Sequence, residues 1–156
     1  MDEENFSVSD LKSENIKDIL PMMKDFYELD NYPFEEKSAW RNFQKFIENP
    51  DFGKAFLISE NQQIAGYFIL VNFFSFEFGG NIWFLDELYI DSKFQGKSLG
   101  KKTVDFVKNL AKENKISVVF LEVENHNERA IKLYEKSGFA KHKRSLMILR
   151  NDADFD

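Results

Sequence analysis

In residues 89–106, YIDSKFQGKSLGKKTVDF, an apolar, β-branched segment passes through a short polar loop into a run with helical periodicity. The join gathers Gly96, Lys97, Ser98, Gly100, Lys101 and Lys102 at the mouth of a helix. The first turn of a helix offers unpaired backbone N–H groups and the positive end of its dipole, so a bound phosphate would account for this composition. A turn followed by a solvated cationic face accounts for it equally well. Spacing excludes two nucleotide motifs. A P-loop needs four residues between its glycine and its Gly-Lys pair, then Ser or Thr; here Gly96 and Gly100 enclose three residues, and Lys102 follows Lys101. A dinucleotide fingerprint needs a third glycine and an acidic residue about 20 positions later, and neither is present in that form. What remains is a shorter loop, residues 95–100, whose backbone can wrap a pyrophosphate while lysines supply charge.

Upstream, residues 14–29 carry Ile16, Ile19, Leu20, Met23 and Tyr27 three or four apart, the period of a helix, with Ser13 as its N-cap. Residues 35–48 place Trp40, Phe43 and Ile47 on one face and stop before Asn49-Pro50, which predicts a second helix. The period then becomes that of strands, in KAFLISE (54–60), QIAGYFILVNFFSF (63–76) and, after the turn EFGG, NIWFLDELYI (81–90). Downstream, residues 98–113 form a helix with Leu99, Thr103, Phe106, Val107, Leu110 and Ala111 as its buried stripe. ISVVFLEV (116–123) reads as a continuous apolar strand, NERAIKLYEKSG (127–138) as a helix closed by Gly138, and KRSLMILR (143–150) as a last strand. Helices first, an antiparallel meander, then β-α-β-α-β predict an α/β fold, a mixed sheet with helices on both faces. No repeat, low-complexity tract or Pro/Gly-rich linker divides the chain, so one domain is expected over residues 1–150, followed by an acidic tail, NDADFD (151–156).

With 156 residues, 43% of them hydrophobic and 18 of them Phe, the chain has material for a single core. No apolar run approaches the roughly 20 residues that span a bilayer, and MDEENFSVSD lacks the regions of a signal peptide, which predicts a cytoplasmic protein with no membrane partner. The absence of cysteine excludes disulfides, thiolate metal sites and a cysteine nucleophile. A net charge of −6 argues against nucleic acid as a partner and for a cationic one.

A second segment, LEVENHNERAIKLYEKSGF (121–139), puts Asn127 at a helix start and Tyr134 two turns later, on the side of Ala130 and Leu133. Q-G-K-S-L-G followed by N-x-x-A-x-x-L-Y-E-K-x-G-F resembles the GNAT acetyltransferase superfamily, whose members transfer an acyl group from acyl-coenzyme A to an amine. The resemblance covers the whole chain in element order and is specific in residues from about 84 to 139. It implies a GNAT-like central sheet, mostly antiparallel, with acetyl-CoA as co-substrate and no metal. It implies further that Leu88, Tyr89 and Ile90 lie where a splayed strand pairs with the pantetheine amides. Gln95, Gly96, Lys97, Ser98, Leu99, Gly100 and Lys101 would hold the pyrophosphate by backbone N–H groups and the helix dipole. Asn127 would contact the pantetheine or the departing thiol, and Tyr134 would protonate the leaving thiolate. Similar proteins usually have glycine where this chain has Ser98, which implies weakened, not abolished, coenzyme binding.

Amine acylation needs a base, because an alkylamine is mostly protonated at pH 7. With two histidines and no thiol, carboxylates are the candidates, and Asp86 and Glu87 lie just before the proposed pantetheine strand end. Adjacent side chains of a regular strand face opposite ways, so one of the two faces the cleft unless a bulge, common in this family's fourth strand, brings in both. Resemblance to polyamine acetyltransferases at this point implies Asp86 as base and Glu87 as amine ligand, with the order of the two roles left open. On the acceptor side, Tyr27 is core or, with Phe26, Tyr32, Phe34 and Trp40, a wall able to meet an ammonium by cation–π contact. Glu77 sits on a turn that overhangs the cleft or faces solvent, and Glu122 lines the amine site or the surface. Glu124 reads as surface, His126 as a helix-start residue and His142 as exposed strand. Apart from the motif, Tyr134 is a core aromatic whose hydroxyl reaches the rim.

The expected function is acetyl transfer from acetyl-CoA to a primary amine of a small molecule, by direct attack in a ternary complex, since no cysteine can carry the acyl group. A protein lysine or N-terminal acetyltransferase is the first competitor, and it would need a groove open at both ends where the FFSFEFGG turn looks like a cover. A non-catalytic acyl-CoA-binding or sensing module is the second, kept open by Ser98. Edge-strand pairing into dimers is frequent among similar proteins, which leaves a homodimer open while the sequence does not fix the oligomeric state.

Overall fold

Residues 55–58 and 67–70 are apolar at every position, so strands made from them must bury both faces. In the computed structural model, which describes residues 5–151, they do. Ala55, Leu57, Tyr67 and Ile69 pack against Ile16, Ile19, Leu20, Met23 and Phe43 on one side. Phe56, Ile58, Phe68 and Leu70 pack against Val107 and Ala111 on the other. Full burial of such a side chain is worth about 1.5–3 kcal/mol, so these two layers, rather than the sheet edges, hold the fold.

The elements follow in the order β1 (Phe6–Asp10), α1 (Ile16–Leu29), α2 (Glu36–Glu48), β2 (Gly53–Glu60), β3 (Gln63–Ser75), β4 (Gly80–Ile90), α3 (Leu99–Glu113), β5 (Val119–Leu121) and α4 (Glu128–Lys136). One sheet runs β1-β2-β3-β4-β5. Its first four strands are antiparallel neighbours, and β5 joins β4 in parallel. Helices α1 and α2 cover one face, and α3 with Tyr134 of α4 covers the other, so the predicted mixed sheet with helices on both faces is present.

Strand β4 changes phase partway along. Ile69 pairs with Glu87 and its neighbour Leu70 with Leu85, which leaves Asp86 as the extra residue of a β-bulge. Trp83 and Leu85 pack on the α3 side, whereas Tyr89 packs on the α1 side. In an unbroken strand these three odd-numbered residues share one face. The inserted residue therefore exchanges the faces: the first half of β4 feeds one core layer, and the second half turns Glu87 and Tyr89 to the other.

Several expectations are corrected. The five-residue β1 was not among the expected strands. Ser13 lies in a 3₁₀ turn, and Asn15 stands at the N-cap of α1. Trp40, expected with Phe43 on the buried face of α2, is 37% exposed. The strand expected over 116–123 is three residues long, and its ladder is with β4. Residues 143–150 are not a strand. Leu146, Met147, Ile148 and Leu149 are 71–92% exposed, and Arg144 donates to Glu77 at 2.8 Å instead; so short a β5 offers little ladder for another strand. The acidic tail expected at 151–156 lies, apart from Asn151, outside the described residues. Among the described residues no helix is long and apolar enough to cross a membrane.

Gly66 fixes how closely β3 approaches the end of β4, because a Cβ there would lie 2.1 Å from the Tyr89 carbonyl oxygen. Gly66→Ala is expected to destabilise the chain by about 2–3 kcal/mol through forced strand separation. Urea unfolding measures this, and an unchanged midpoint would contradict the close approach.

Candidate active site

The bulge brings Asp86 and Glu87 onto the walls of two adjoining cavities, which share Tyr27, Pro33 and both carboxylates. The first cavity, about 660 Å³, adds Asp30, Glu122 and Glu124 with the rings of Phe26 and Tyr32. The second, about 550 Å³, is mostly apolar and runs inward past Met23, Phe43 and Ile69. Five carboxylates thus surround one space, and among its lining residues none is Lys, Arg or His.

Glu87 is held from two sides. The Tyr27 hydroxyl donates to Oε2 and the Tyr67 hydroxyl to Oε1, each at 2.8 Å. Burial raises the Glu87 pKa, the two phenols oppose that rise, and the Asp86 charge adds to it; the net direction is upward. Burial, followed by the Glu87 charge, pushes both phenols well above the ordinary tyrosine range, so they stay protonated and donate. The Asp86 side chain has no hydrogen-bond partner among the described residues, and its pKa is raised by desolvation. At the mouth, the Tyr32 hydroxyl donates to Glu124, and His126 Nε2 meets Asp30 Oδ1 at 2.9 Å. These contacts tie the segment after α1 to the segment after β5.

The coenzyme side is built by a splay. Pairing of β4 with β5 ends at Leu85 and Leu121, whereas Leu88, Tyr89 and Ile90 continue to pair with β3. The backbone edge of these three residues toward β5 is therefore open for amide partners, which suits a pantetheine arm. Beyond it, Gly96 has φ +82° with open space around it, and Ser98 takes a left-handed conformation, φ 61°, at the N-cap of α3 without a side-chain cap. The left-handed geometry explains why glycine suits position 98, and the uncapped N–H groups of α3 suit a pyrophosphate. Leu99 is buried, so it offers backbone alone. Gln95 and Lys97 are exposed, while Lys101 is paired with Asp105 at 2.7 Å. Gly100 faces α4, where an added Cβ would meet Leu133 at 3.2 Å, so its small size serves helix packing.

Asn127 caps α4 by accepting from the Ala130 N–H at 3.2 Å, which leaves its amide nitrogen to donate. Tyr134 packs edge-on against Phe139 and lines a groove that shares Glu122 and Val123 with the acidic cavity. Burial pushes its phenol up to about 12. Glu77 does not join this group. It pairs with Arg144 at the β3–β4 hairpin, roughly 20 Å along β4 from the carboxylates at about 3.3 Å per residue, so the FFSFEFGG turn covers the opposite end of the sheet. Among the described residues no group of three or more His, Cys, Asp or Glu side chains is arranged to hold a metal ion. Sequence reasoning passed over Tyr67 and Asp30 and took Glu124 for surface. A tyrosine inside a two-sided apolar strand was the available signal, because a buried phenol needs a partner.

A family model described as acetyltransferase (GNAT) family matches residues 17–139. The spermine/spermidine N(1)-acetyltransferase of Bacillus subtilis is 39% identical over 61 residues, 38% of this chain and 40% of that protein; the chain thus matches about two fifths of the length of that relative. An uncharacterized N-acetyltransferase of the same organism, YhfO, is 23% identical over 133 residues, 85% of this chain and 89% of that protein. Among solved structures, a protein of Clostridium acetobutylicum described as a predicted acetyltransferase with acetyl-CoA superposes with TM-score 0.75 at 16% identity, covering 92% of this chain and 96% of that one. An integron cassette protein from Cole Harbour Salt Marsh reaches TM-score 0.81 at 24% identity, covering 92% and 89%. At such identities the structures establish likeness of fold.

The Asp86 side chain is still partly open to water, so its raised pKa makes the ionised form a small cost to the fold. Stability then falls as pH rises from the ordinary aspartate value, roughly 3.9, through the higher folded value, because the folded state binds more protons in that window. Asp86→Asn is therefore expected to raise Tm at pH 7, with the gain vanishing below about pH 4. Thermal unfolding across pH checks this, and a variant less stable at pH 7 would contradict it.

Proposed function

Because the chain belongs to the GNAT acetyltransferase family, we propose that it moves the acetyl group of acetyl-CoA to a primary amine of a small polycation by direct attack in a ternary complex. The observation that carries this reading is the cavity with Asp30, Asp86, Glu87, Glu122 and Glu124 around Phe26, Tyr27 and Tyr32. A monoamine would neutralise one carboxylate and leave most of the others without a cation, since among the described residues only Asp30 of the five has a basic partner, His126. A chain with several ammonium groups offsets more of their mutual repulsion, and aromatic faces add cation–π attraction. The partial likeness to a spermine/spermidine acetyltransferase supports the same class.

In this mechanism the backbone of Leu88, Tyr89 and Ile90 pairs with the pantetheine amides, and the loop from Gln95 to Lys101 receives the pyrophosphate at the start of α3. Asp86, free of phenol contacts, takes a proton from the bound ammonium, directly or through water. The nitrogen lone pair is then free to attack the thioester carbon, with Glu87 holding the cation in place until the proton leaves. As the C–S bond breaks, the nitrogen sheds its second proton to solvent to become a neutral amide, while Tyr134 gives its proton to the sulfur and regains one from solvent. A phenol with a pKa near 12 stays protonated through the physiological range, so it is always available as a donor, although as a weak acid it contributes at the lower end of the usual range. Asn127 offers its amide nitrogen to the same region.

Thiol release with acetyl-CoA and a panel of spermidine, putrescine and butylamine tests the reading. Spermidine and putrescine are expected to exceed butylamine in kcat/KM by about tenfold or more, the factor that one retained ion pair of about 1.4 kcal/mol provides. Tyr134→Phe and Asp86→Asn should each lower kcat by about 10²-fold with acetyl-CoA affinity retained. Millimolar CoA should raise Tm by mass action. Equal melting curves with and without CoA would remove the coenzyme site, and equal rates with butylamine would remove the polycation.

A further inference from the structure

Tyr67 sits in the middle of β3 with no exposed surface. Around it lie apolar side chains of α1, α2 and the sheet. Phenylalanine would fill that space, as it does at the next residue, Phe68, on the opposite face. The Tyr67 hydroxyl has a single partner among the described residues, Glu87 Oε1 at 2.8 Å. From another element, Tyr27 of α1 takes the other oxygen at the same distance. Each carboxylate oxygen keeps a lone pair, so the clamp orients Glu87 without blocking it.

The surroundings explain why such a clamp is needed. Asp86 adjoins Glu87 on β4, Asp30 follows α1, Glu35 caps α2, and Glu122 and Glu124 follow β5. The other titratable neighbours are two phenols, Tyr32 at the mouth and Tyr89, whose ring lies 6.2 Å from that of Tyr67, and His126, which meets Asp30 at 2.9 Å. No cation lines either cavity among the described residues. Burial and like charge both favour a neutral Glu87, and a neutral carboxyl holds an ammonium poorly. Two charge-assisted O–H···O⁻ bonds are what opposes protonation.

We propose that Tyr67 is a positioning residue for the transfer reaction: its hydroxyl, together with that of Tyr27, clamps Glu87 as a fixed, ionised ligand for the ammonium. Asp86, which neither phenol touches, is thereby left as the base. The effect on turnover rests on the amine-acceptor reading above, whereas the effect on Glu87 itself does not.

Two readouts on the full chain keep these apart. In glutamate-labelled protein, carbon NMR follows the Glu87 carboxyl through a pH titration, with Glu87→Gln identifying the signal. Tyr67→Phe is expected to move that titration up by on the order of one pH unit, since it removes one hydrogen bond to the charged form. Kinetically, the acid limb of kcat/KM for spermidine should move up with it, and the amine KM should rise while the acetyl-CoA KM holds. In a Glu87→Gln background, Tyr67→Phe should shift the limb no further. Tyr27→Phe should act in the same direction, and it carries the test if Tyr67→Phe does not fold. An unmoved Glu87 titration in the folded phenol variants overturns the proposal, as does a kinetic effect of Tyr67→Phe that persists undiminished without Glu87. A wild-type chain that acetylates no amine overturns the acceptor reading alone, and the titration still decides the clamp.

Discussion

One extra residue in β4 governs the layout of the site. Asp86 has no partner in β3, and its insertion exchanges the faces of the strand, so that Leu85 faces α3 while Glu87 and Tyr89 face α1. Without it, strict alternation would send Glu87 into the apolar layer under α3, among Phe56, Phe68 and Val107, where an ionised carboxylate would have no donor. With it, Glu87 arrives opposite Ile69 and beside two phenols. The bulge also falls just past Leu85, the last β4 residue that pairs with β5. A single irregularity thus sets acceptor carboxylates and coenzyme edge next to each other.

The acceptor cavity concentrates charge in a way that costs stability. Asp86 and Glu87 both have raised pKa values, chiefly from burial, and no cation among the cavity's lining residues offsets them. The two-sided core of β2 and β3 supplies the burial that supports such a site. At the mouth, the contacts of Tyr32 with Glu124 and of His126 with Asp30 hold two loops from distant parts of the sequence together, which gives the cavity an outer wall.

Much of the scaffold was legible in the chain. Uninterrupted apolar runs at 55–58 and 67–70 require strands covered on both faces, and helical spacing in residues 14–29 and 98–113 supplies the covers. Asp86 and Glu87 were legible as a pair, but periodicity alone does not say whether a bulge brings both to one cavity. Tyr67 was hidden because alternation reports burial and not the partner of a hydroxyl. Glu77 was left between the cleft and solvent because a hairpin sequence does not tell which end of the sheet it occupies. The small size of Gly100 answers to Leu133, 33 residues later, a contact that local spacing does not contain. Residues 143–150 have strand composition, yet a strand also needs a ladder partner, and the three residues of β5 offer little of one.

The central claim is that the bulged end of β4 holds an amine between Asp86 and Glu87 while its backbone holds the coenzyme arm on the β5 side. A crystal structure with a bisubstrate compound, spermidine joined through an acetyl link to CoA, tests it most directly. The account predicts pantetheine amides paired with the backbone of Leu88 to Ile90, the linked nitrogen within hydrogen-bond reach of Asp86, and a distal ammonium facing Asp30, Glu122 or Glu124. A polyamine arm lying outside that cavity, or a pantetheine arm that does not run between β4 and β5, would contradict it.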